Sequence, residues 1–561
     1  MAIENPHRPP AQVNRREFIG LGAALAVSAA LGTPRQAAGN VNPRGSTPAA
    51  NPLPAKPNFL FIITDQERSP QHWPEQWANY STMPGRRALL DSGIQFRRAF
   101  CNTSMCTPSR ATLFTGLYPA RHGVIDTLTE GGTFSDSEKV LPVDLQNLAK
   151  MLGSVGYRVG YRGKWHLSKP LGDDWSSADT DAVATDYGFA GWVPPDAGQD
   201  TEPDHFGGGT ANADANYFAQ AQSFLQTAAL DQPFALVMSL VNPHDVLAYL
   251  QISKWQAGGY TLNDLNAVND ISLPPTIDED LTANYKPSAH AQLLTRLNSP
   301  VGLGNLNTQN EKEKYVNFYA WLQQQTDTYF TQIIDTLKAR SLDDGSDESL
   351  WHNTVIVFVS DHGEMGLSHG GLRQKMFNVY EETMRVPLII SNPKLFPTGQ
   401  TTDALASLID LMPTVASLAG VDKQQWAFQG TDLWPLIDAL RQGSDPQPHE
   451  QAAIHFTFDD QRSGSGSVEQ AVDDPNHIRC IRTKEWKYAF YYDPAGAVAH
   501  EYEMYDLVND PTEMQNLAHP DHPRYAEFES QRNTLHAQLV GMMTAKGTMP
   551  YNLHLPSISA G

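Results

Sequence analysis

The 561-residue sequence predicts an α/β fold, a mixed but largely parallel sheet between helices, followed by a smaller C-terminal α+β subdomain. Three observations carry this expectation. Continuous apolar runs such as Phe59–Ile63 and Val355–Val359 suit strands buried on both faces of a parallel sheet, which lack the alternation of half-exposed strands. Helical periodicities alternate with these runs, as a doubly wound arrangement requires. Toward the C-terminus the pattern changes to short strands with turn residues between them, ending in one helix.

Composition sets the outer limits. With 40% hydrophobic and 18% charged residues the chain is globular, and its length exceeds one ordinary domain. A formal net charge of −22 speaks against a nucleic-acid partner, whose footprint is basic. Three cysteines, Cys101, Cys106 and Cys480, allow at most one bridge and form no disulfide framework, and Cys106 is expected to be free.

Residues 1–39 have the layout of a twin-arginine export signal. Arg15 and Arg16 precede an apolar run from Gly20 to Leu31, then small residues around Ala37–Gly39. That run is too short and glycine-rich to span a bilayer, so no stable membrane anchor is expected. The route exports proteins already folded, which points to a bacterial periplasm. Residues 40–56, rich in Pro, Asn and Ala, read as linker; 57–440 as the main domain; 441–561 as the antiparallel-sheet subdomain.

Within the main domain, Asn58–Gln66 is an apolar strand ending in a carboxylate, and Thr354–Gly363 repeats the arrangement. Ligands gather beyond the carboxyl ends of strands in open α/β sheets, so Asp65 and Asp361 are expected at one site, as metal ligands. Tyr157–Tyr161 likewise runs into Arg162-Gly163-Lys164-Trp165-His166, and Phe234–Val241 into Asn242-Pro243-His244. Helical spacing covers 143–155, 213–230 and, most clearly, 313–340, whose aromatic stripe is expected to be core. The weakly periodic stretch 246–310 is expected to be a surface insertion near the site, a substrate-selecting lid; its Trp255 and Tyr260 are candidates for the pocket wall or for ordinary packing. Val386–Ile390 is expected to be a strand, and Ala406–Leu418 a helix that Pro413 breaks or kinks. Strand patterns around Ile481–Tyr488 and Glu503–Leu507 then suggest a hairpin set, with a last helix over Pro523–Lys546.

The remaining stretch carries the chemistry. Cys106-Thr107-Pro108-Ser109-Arg110 places a sulfur at a helix N-terminus, where free backbone N–H groups favour an anion, with Ser109 suited to cap the helix. The string continues through Leu113-Phe114-Thr115-Gly116 to Arg121-His122-Gly123. It resembles the maturation signature of the type I sulfatases, in which the cysteine is oxidised to formylglycine. The resemblance extends, in order, over Asp65, the cysteine helix, Gly163-Lys164-Trp165-His166, Asn242-Pro243-His244, Asp361-His362-Gly363 and Lys375 before Tyr380-Glu381-Glu382.

That resemblance implies an alkaline-phosphatase-like fold and maturation of Cys106 by a formylglycine-generating enzyme. Hydration of the aldehyde provides one hydroxyl to attack sulfur and a second to expel sulfate. It implies one divalent ion, Ca2+ first with Mn2+ or Mg2+ as alternatives, held by Asp65, Gln66, the Cys106-derived group, Asp361 and His362. Arg110 would hold the diol, Lys164 and Lys375 the sulfate oxygens, His244 would protonate the leaving alcohol and His166 deprotonate the remaining hydroxyl, with the two histidines interchangeable at this stage. Gln66 and His362 depart from the Asp and Asn of many sulfatases and resemble the choline-sulfatase and phosphonate-monoester-hydrolase branch. The expected substrate is a small-molecule or saccharide sulfate monoester, with a phosphonate monoester or phosphodiester as the alternative.

Overall fold

The computed structural model of the protein describes residues 56–128, 138–198, 201–249, 252–299, 302–463 and 470–550. The expected export signal, and the expected linker up to residue 55, lie outside the described residues.

The central sheet contains β1 (Asn58–Asp65), β2 (Gly93–Phe100), β3 (Arg158–Gly163), β4 (Phe234–Pro243), β5 (Thr354–Ser360), β6 (Arg385–Val386), β7 (Leu388–Ser391) and β8 (Gln400–Ser407). Its order is β3-β4-β1-β5-β7-β2, with β6 also on β2 and β8 on the other edge of β2. β3, β4, β1 and β5 run parallel, and β6 and β7 run against their neighbours. The mixed, largely parallel expectation therefore holds. β1 is the middle strand, with Phe61 opposite both Val237 of β4 and Val357 of β5. Every residue of β1, β4 and β5 is buried because successive side chains enter different cores. Phe59, Phe61 and Ile63 join one apolar cluster, and Leu60 and Ile62 the other. Each large side chain so buried contributes about 1.5–3 kcal/mol, which ties helices to both faces.

The helix over Gln309–Ala339 covers the second face. It starts four residues before the expected Glu313 because Thr308 and Glu311 form a reciprocal capping box. The expected helix at 143–155 is confined to Leu148–Ser154, since the Asn147 side chain caps Lys150 N–H and starts it late. Ala213–Thr227 falls within its expected range.

Other elements correct the sequence reading. The first residues of the expected 406–418 helix extend β8, and a second capping box, Ser407 with Asp410, opens a 3₁₀ turn leading to a helix over Leu411–Ala419. Pro413 sits in the first turn of that helix, where its missing N–H costs no bond, so it neither breaks nor kinks it. The expected strand 386–390 is divided between β6 and β7 at Pro387, which has no N–H for a ladder. Trp255 and Tyr260 are only 2% and 4% exposed. They stack on each other with ring centroids 5.9 Å apart and pack against Phe318 of the long helix. Both are core, and much of the expected insertion is folded against the domain through Leu265, Val268 and Ile271 as well.

The C-terminal sheet is antiparallel, formed by β9 (Ala453–Phe458), β10 (His477–Thr483), β11 (Trp486–Tyr492) and β12 (Glu501–Asp506) in the order β12-β11-β10-β9. A helix over Glu529–Lys546 packs on it through Leu535, Leu539 and Met543 against Ile481 and Phe490. Among the described residues no helix is long and apolar enough to cross a membrane.

Candidate active site

Parallel pairing of β1 with β4 and β5 delivers their C-terminal ends to one edge, and the ten candidate residues collect there. Cys106 is the first residue of a fully buried helix, Cys106–Thr115, which Gly116 closes in the left-handed region at φ 69°. Ser109 does not cap this helix. Its hydroxyl donates to the Asp361 carbonyl at 2.5 Å, pinning the helix to the end of β5, and the N-terminal amides receive no side-chain cap.

Arg110 joins the two carboxylates. Its Nε donates to Asp361 Oδ2 at 2.9 Å and its Nη2 to Asp65 Oδ2 at 3.0 Å, while Nη1 holds the Lys164 carbonyl and Ser239 Oγ. Lys164 Nζ lies 2.6 Å from Asp65 Oδ2, and the side chains of Arg110, Asp65, Asp361 and Lys164 are all fully buried. Burial alone would raise Asp65, but the Lys164 and Arg110 charges hold it well below the ordinary carboxylate range. Burial and the Asp65 charge push Asp361 the other way, up to about 6.

The cations occupy both Oδ2 atoms and leave the Oδ1 atoms facing inward. Asp65 Oδ1 and Asp361 Oδ1 lie 3.8 and 3.6 Å from His362 Nε2, which is 3.1 Å from Cys106 Sγ. His362 Nδ1 is 3.1 Å from the Gly363 carbonyl, so its proton belongs there and Nε2 presents a lone pair. Two carboxylate oxygens, an imidazole lone pair and a sulfur lie with ligand atoms all within 4.8 Å of one another, an acceptor-rich set relieved, among the described residues, only by the Cys106 S–H and by the Gln66 and His362 N–H groups on Asp361 Oδ1. The residues present therefore fit a divalent ion.

Gln66 also reaches the site, in the left-handed region at φ 67°, but its amide is engaged elsewhere. Oε1 accepts from Lys375 Nζ at 2.8 Å and Nε2 donates to Glu364 Oε2 at 2.8 Å. Glu364, which sequence reading missed although it lies two residues after His362, is itself fixed by Tyr315 O–H and Gln374 N–H. The expected metal role of Gln66 is here a contact with Lys375.

His166 and His244 close the site. Burial and the Lys164 charge depress both well below the usual histidine range, so both stand neutral. His166 Nε2 is 3.3 Å from the Leu128 carbonyl, and its buried Nδ1 has no partner among the described residues. Its backbone is left-handed at φ 51°, held there by Asp196, whose carboxylate accepts from Trp165 N–H at 2.8 Å and His166 N–H at 2.5 Å. Asp214 does the same for the end of β4, accepting from Val241 and Asn242 N–H at 2.6 and 3.1 Å. Neither aspartate has a local sequence signal, since each acts on backbone far along the chain.

The sulfatase family profile matches residues 57–421, which span every residue placed at this site. The chain belongs to the sulfatase family. A second profile, N-sulphoglucosamine sulphohydrolase, C-terminal, matches residues 369–544 of this sulfatase. It is 24% identical to N-acetylglucosamine-6-O-sulfatase of Bacteroides thetaiotaomicron, over 82% of each chain. It is 26% identical to choline-sulfatase of Rhizobium meliloti, over 84% of this chain and 83% of that one. Among solved structures it resembles the phosphonate monoester hydrolase of Silicibacter pomeroyi, with a TM-score of 0.62, 22% identity, and 90% and 98% of the two chains covered. The fold is thus the alkaline-phosphatase-like one, and this sulfatase is a sulfuric ester hydrolase whose family implies a metal ion and a modified cysteine.

Proposed function

We propose that this sulfatase cleaves a saccharide or small-molecule sulfate monoester through a formylglycine made from Cys106, beside one divalent ion. The observation that carries the reading is the position of Cys106 Sγ, at a helix N-terminus, 3.1 Å from His362 Nε2 and 3.9 Å from Asp65 Oδ1. When present, the hydrated formylglycine supplies the nucleophilic hydroxyl, and the ion lowers its pKa and neutralises sulfate oxygens. Asp65, Asp361 and His362 would hold that ion, with Gln66 available if Lys375 releases it; a mainly oxygen ligand set suits Ca2+, Mn2+ or Mg2+.

The chain's own groups supply the rest. Arg110, tied to both carboxylates, fixes the ligand geometry and balances its charge. Lys164 and Lys375 stand with ammonium groups 2.6 Å from Asp65 and 2.8 Å from Gln66, ready to shift to sulfate oxygens as negative charge builds there. Neutral His166, whose Nδ1 has no partner among the described residues, suits the base that takes a hydroxyl proton. His244 is the donor to the leaving alcohol: burial and the Lys164 charge keep it neutral in the free site, and an arriving sulfate anion opposes the second of these and favours its protonated form.

A saccharide substrate is supported by the N-acetylglucosamine-6-O-sulfatase relative. Gln66 and His362, with the Silicibacter neighbour, favour phosphonate monoesters as the second reading. Export by the twin-arginine route to the periplasm completes the proposal, because a cysteine modified before translocation needs a route for folded protein.

The test is intact mass of the Cys106 peptide from protein co-expressed with a formylglycine-generating enzyme, alongside turnover of 4-nitrophenyl sulfate and a phenyl phosphonate ester. Formylglycine mass with preferred sulfate turnover is expected, together with complete loss in Cys106→Ala and Cys106→Ser. An unmodified cysteine in fully active enzyme sinks the mechanism, and faster phosphonate turnover selects the second reading.

A further inference from the structure

A cleft of about 330 Å³ lies where the central and C-terminal sheets meet, and it shares no residue with the catalytic site. Each sheet contributes cations to it. Arg98 of β2 and Arg385 of β6 come from the central sheet, and Arg482 of β10 and Lys484 of the following turn from the C-terminal one. Two acids, Glu381 and Glu382, also line it.

The charges do not balance within the cleft. Glu381 is consumed by Arg482, through two bonds of 3.2 Å, and by Lys487 at 3.0 Å. Glu382 is approached by His369 and His72 at 3.8 and 3.9 Å. Lys484 pairs with Glu450. Among the described residues Arg98 and Arg385 make no ion pair. They hold backbone carbonyls instead, Arg98 Nη1 that of Lys484 at 3.3 Å and Arg385 Nε that of Arg97 at 2.7 Å. Burial, with Arg482 and Arg98 close by, depresses Arg385 from its ordinary value even though Glu381 and Asp403 oppose this. Glu381 is already held by Arg482 and Lys487, and Asp403 by Arg97, so the half-buried Arg98 and Arg385 guanidinium groups leave the cleft with an excess of positive charge and N–H donors not committed to any carboxylate. A planar fork of N–H donors matches a tetrahedral oxyanion in charge and geometry.

We infer that this inter-sheet cleft is a second oxyanion site, in which Arg98 and Arg385 bind a sulfate or phosphate group, free or borne on a saccharide. Binding there joins the two sheets through one ligand and requires no chemistry at Cys106. The site is independent of the catalytic reading, since none of its residues touches the groups assigned to hydrolysis.

Calorimetric titration of inorganic sulfate into the metal-loaded enzyme tests it, with Lys375→Ala identifying the catalytic phase. Wild type should show a further sulfate phase that survives Lys375→Ala, and Arg98→Gln or Arg385→Gln should weaken that phase about 10-fold or more, the worth of one lost charge-assisted contact. Turnover of 4-nitrophenyl sulfate should stay unchanged in both. If Arg385→Gln does not fold, Arg98→Gln decides alone. In the inactive Cys106→Ala protein, Arg98-dependent binding of glucosamine 6-sulfate tighter than that of inorganic sulfate assigns the anion to a saccharide, and equal or weaker binding assigns it to the free ion. A titration with only the catalytic phase, or a second phase that survives both arginine substitutions, overturns the inference.

Discussion

Asp196→Ala removes the acceptor that fixes His166, and the structure sets the size of the effect. The carboxylate is 2% exposed and takes N–H bonds from Trp165 at 2.8 Å, His166 at 2.5 Å and Ala197 at 3.1 Å. Alanine leaves at least two buried donors unpaired, at about 1–3 kcal/mol each. Part of this is offset, because burial already raises the pKa of Asp196 and its desolvation cost disappears with it. Relief of the left-handed His166 backbone returns a further fraction. A net loss of about 2–4 kcal/mol is expected in urea unfolding. The imidazole should also leave its position, lowering kcat for 4-nitrophenyl sulfate by about 100-fold or more, the usual worth of a positioned base. Asp196→Asn keeps one acceptor oxygen and should recover most of the stability but little of the rate, since one amide then meets an NH2 group. Asp196→Ala with unchanged unfolding and unchanged kcat would refute the reasoning, and equal recovery of both quantities in Asp196→Asn would reduce Asp196 to a purely structural role.

Three other outcomes are expected. Exhaustive chelation should abolish activity and lower the melting temperature, as Asp65, Asp361 and His362 lose their common cation, and Ca2+ or Mn2+ should restore both; an active enzyme free of divalent metal by elemental analysis rules this out. His244→Ala should slow alkyl sulfates about 100-fold more than nitrophenyl sulfate, because only the poor leaving group needs a proton, whereas Lys375→Ala should slow both alike. Equal losses in His244→Ala would remove its donor role. Burial depresses His122 to about 3, and its Nδ1 accepts from Val124 N–H at 3.1 Å, a bond that protonation breaks. Its unfolded pKa is higher, so the stability it supports is complete above about 6.5 and falls with pH toward 3, by about 3 kcal/mol at pH 4. His122→Gln should show a correspondingly flatter profile between pH 7 and 4, and an unaltered acid limb would contradict this.

The apolar runs of β1, β4 and β5 were legible because strands buried on both faces need no polar alternation, and their terminal Asp65, His244 and Asp361 follow by position. β2 was not legible. Two exposed or half-buried positions, Arg97 and Arg98, interrupt its apolar residues, and it is a strand because β7 and β8 pair with its two edges. Trp255 and Tyr260 are polar-tipped aromatics in a weakly periodic stretch, and only the long helix beneath them makes them core.

The sequence alone determined the fold class, the family and the inventory of reactive side chains, because strand hydrophobicity and the Cys106–Arg110 motif are local properties. Tertiary structure alone decided how those groups are shared. Gln66 turns its amide to Lys375 and Glu364, Arg110 takes the outer oxygens of Asp65 and Asp361, and Asp196 holds the His166 backbone from 30 residues away. A buried carboxylate or amide bonds to whatever donor the packed sheet edge brings within about 3 Å, and no spacing in the chain records that distance.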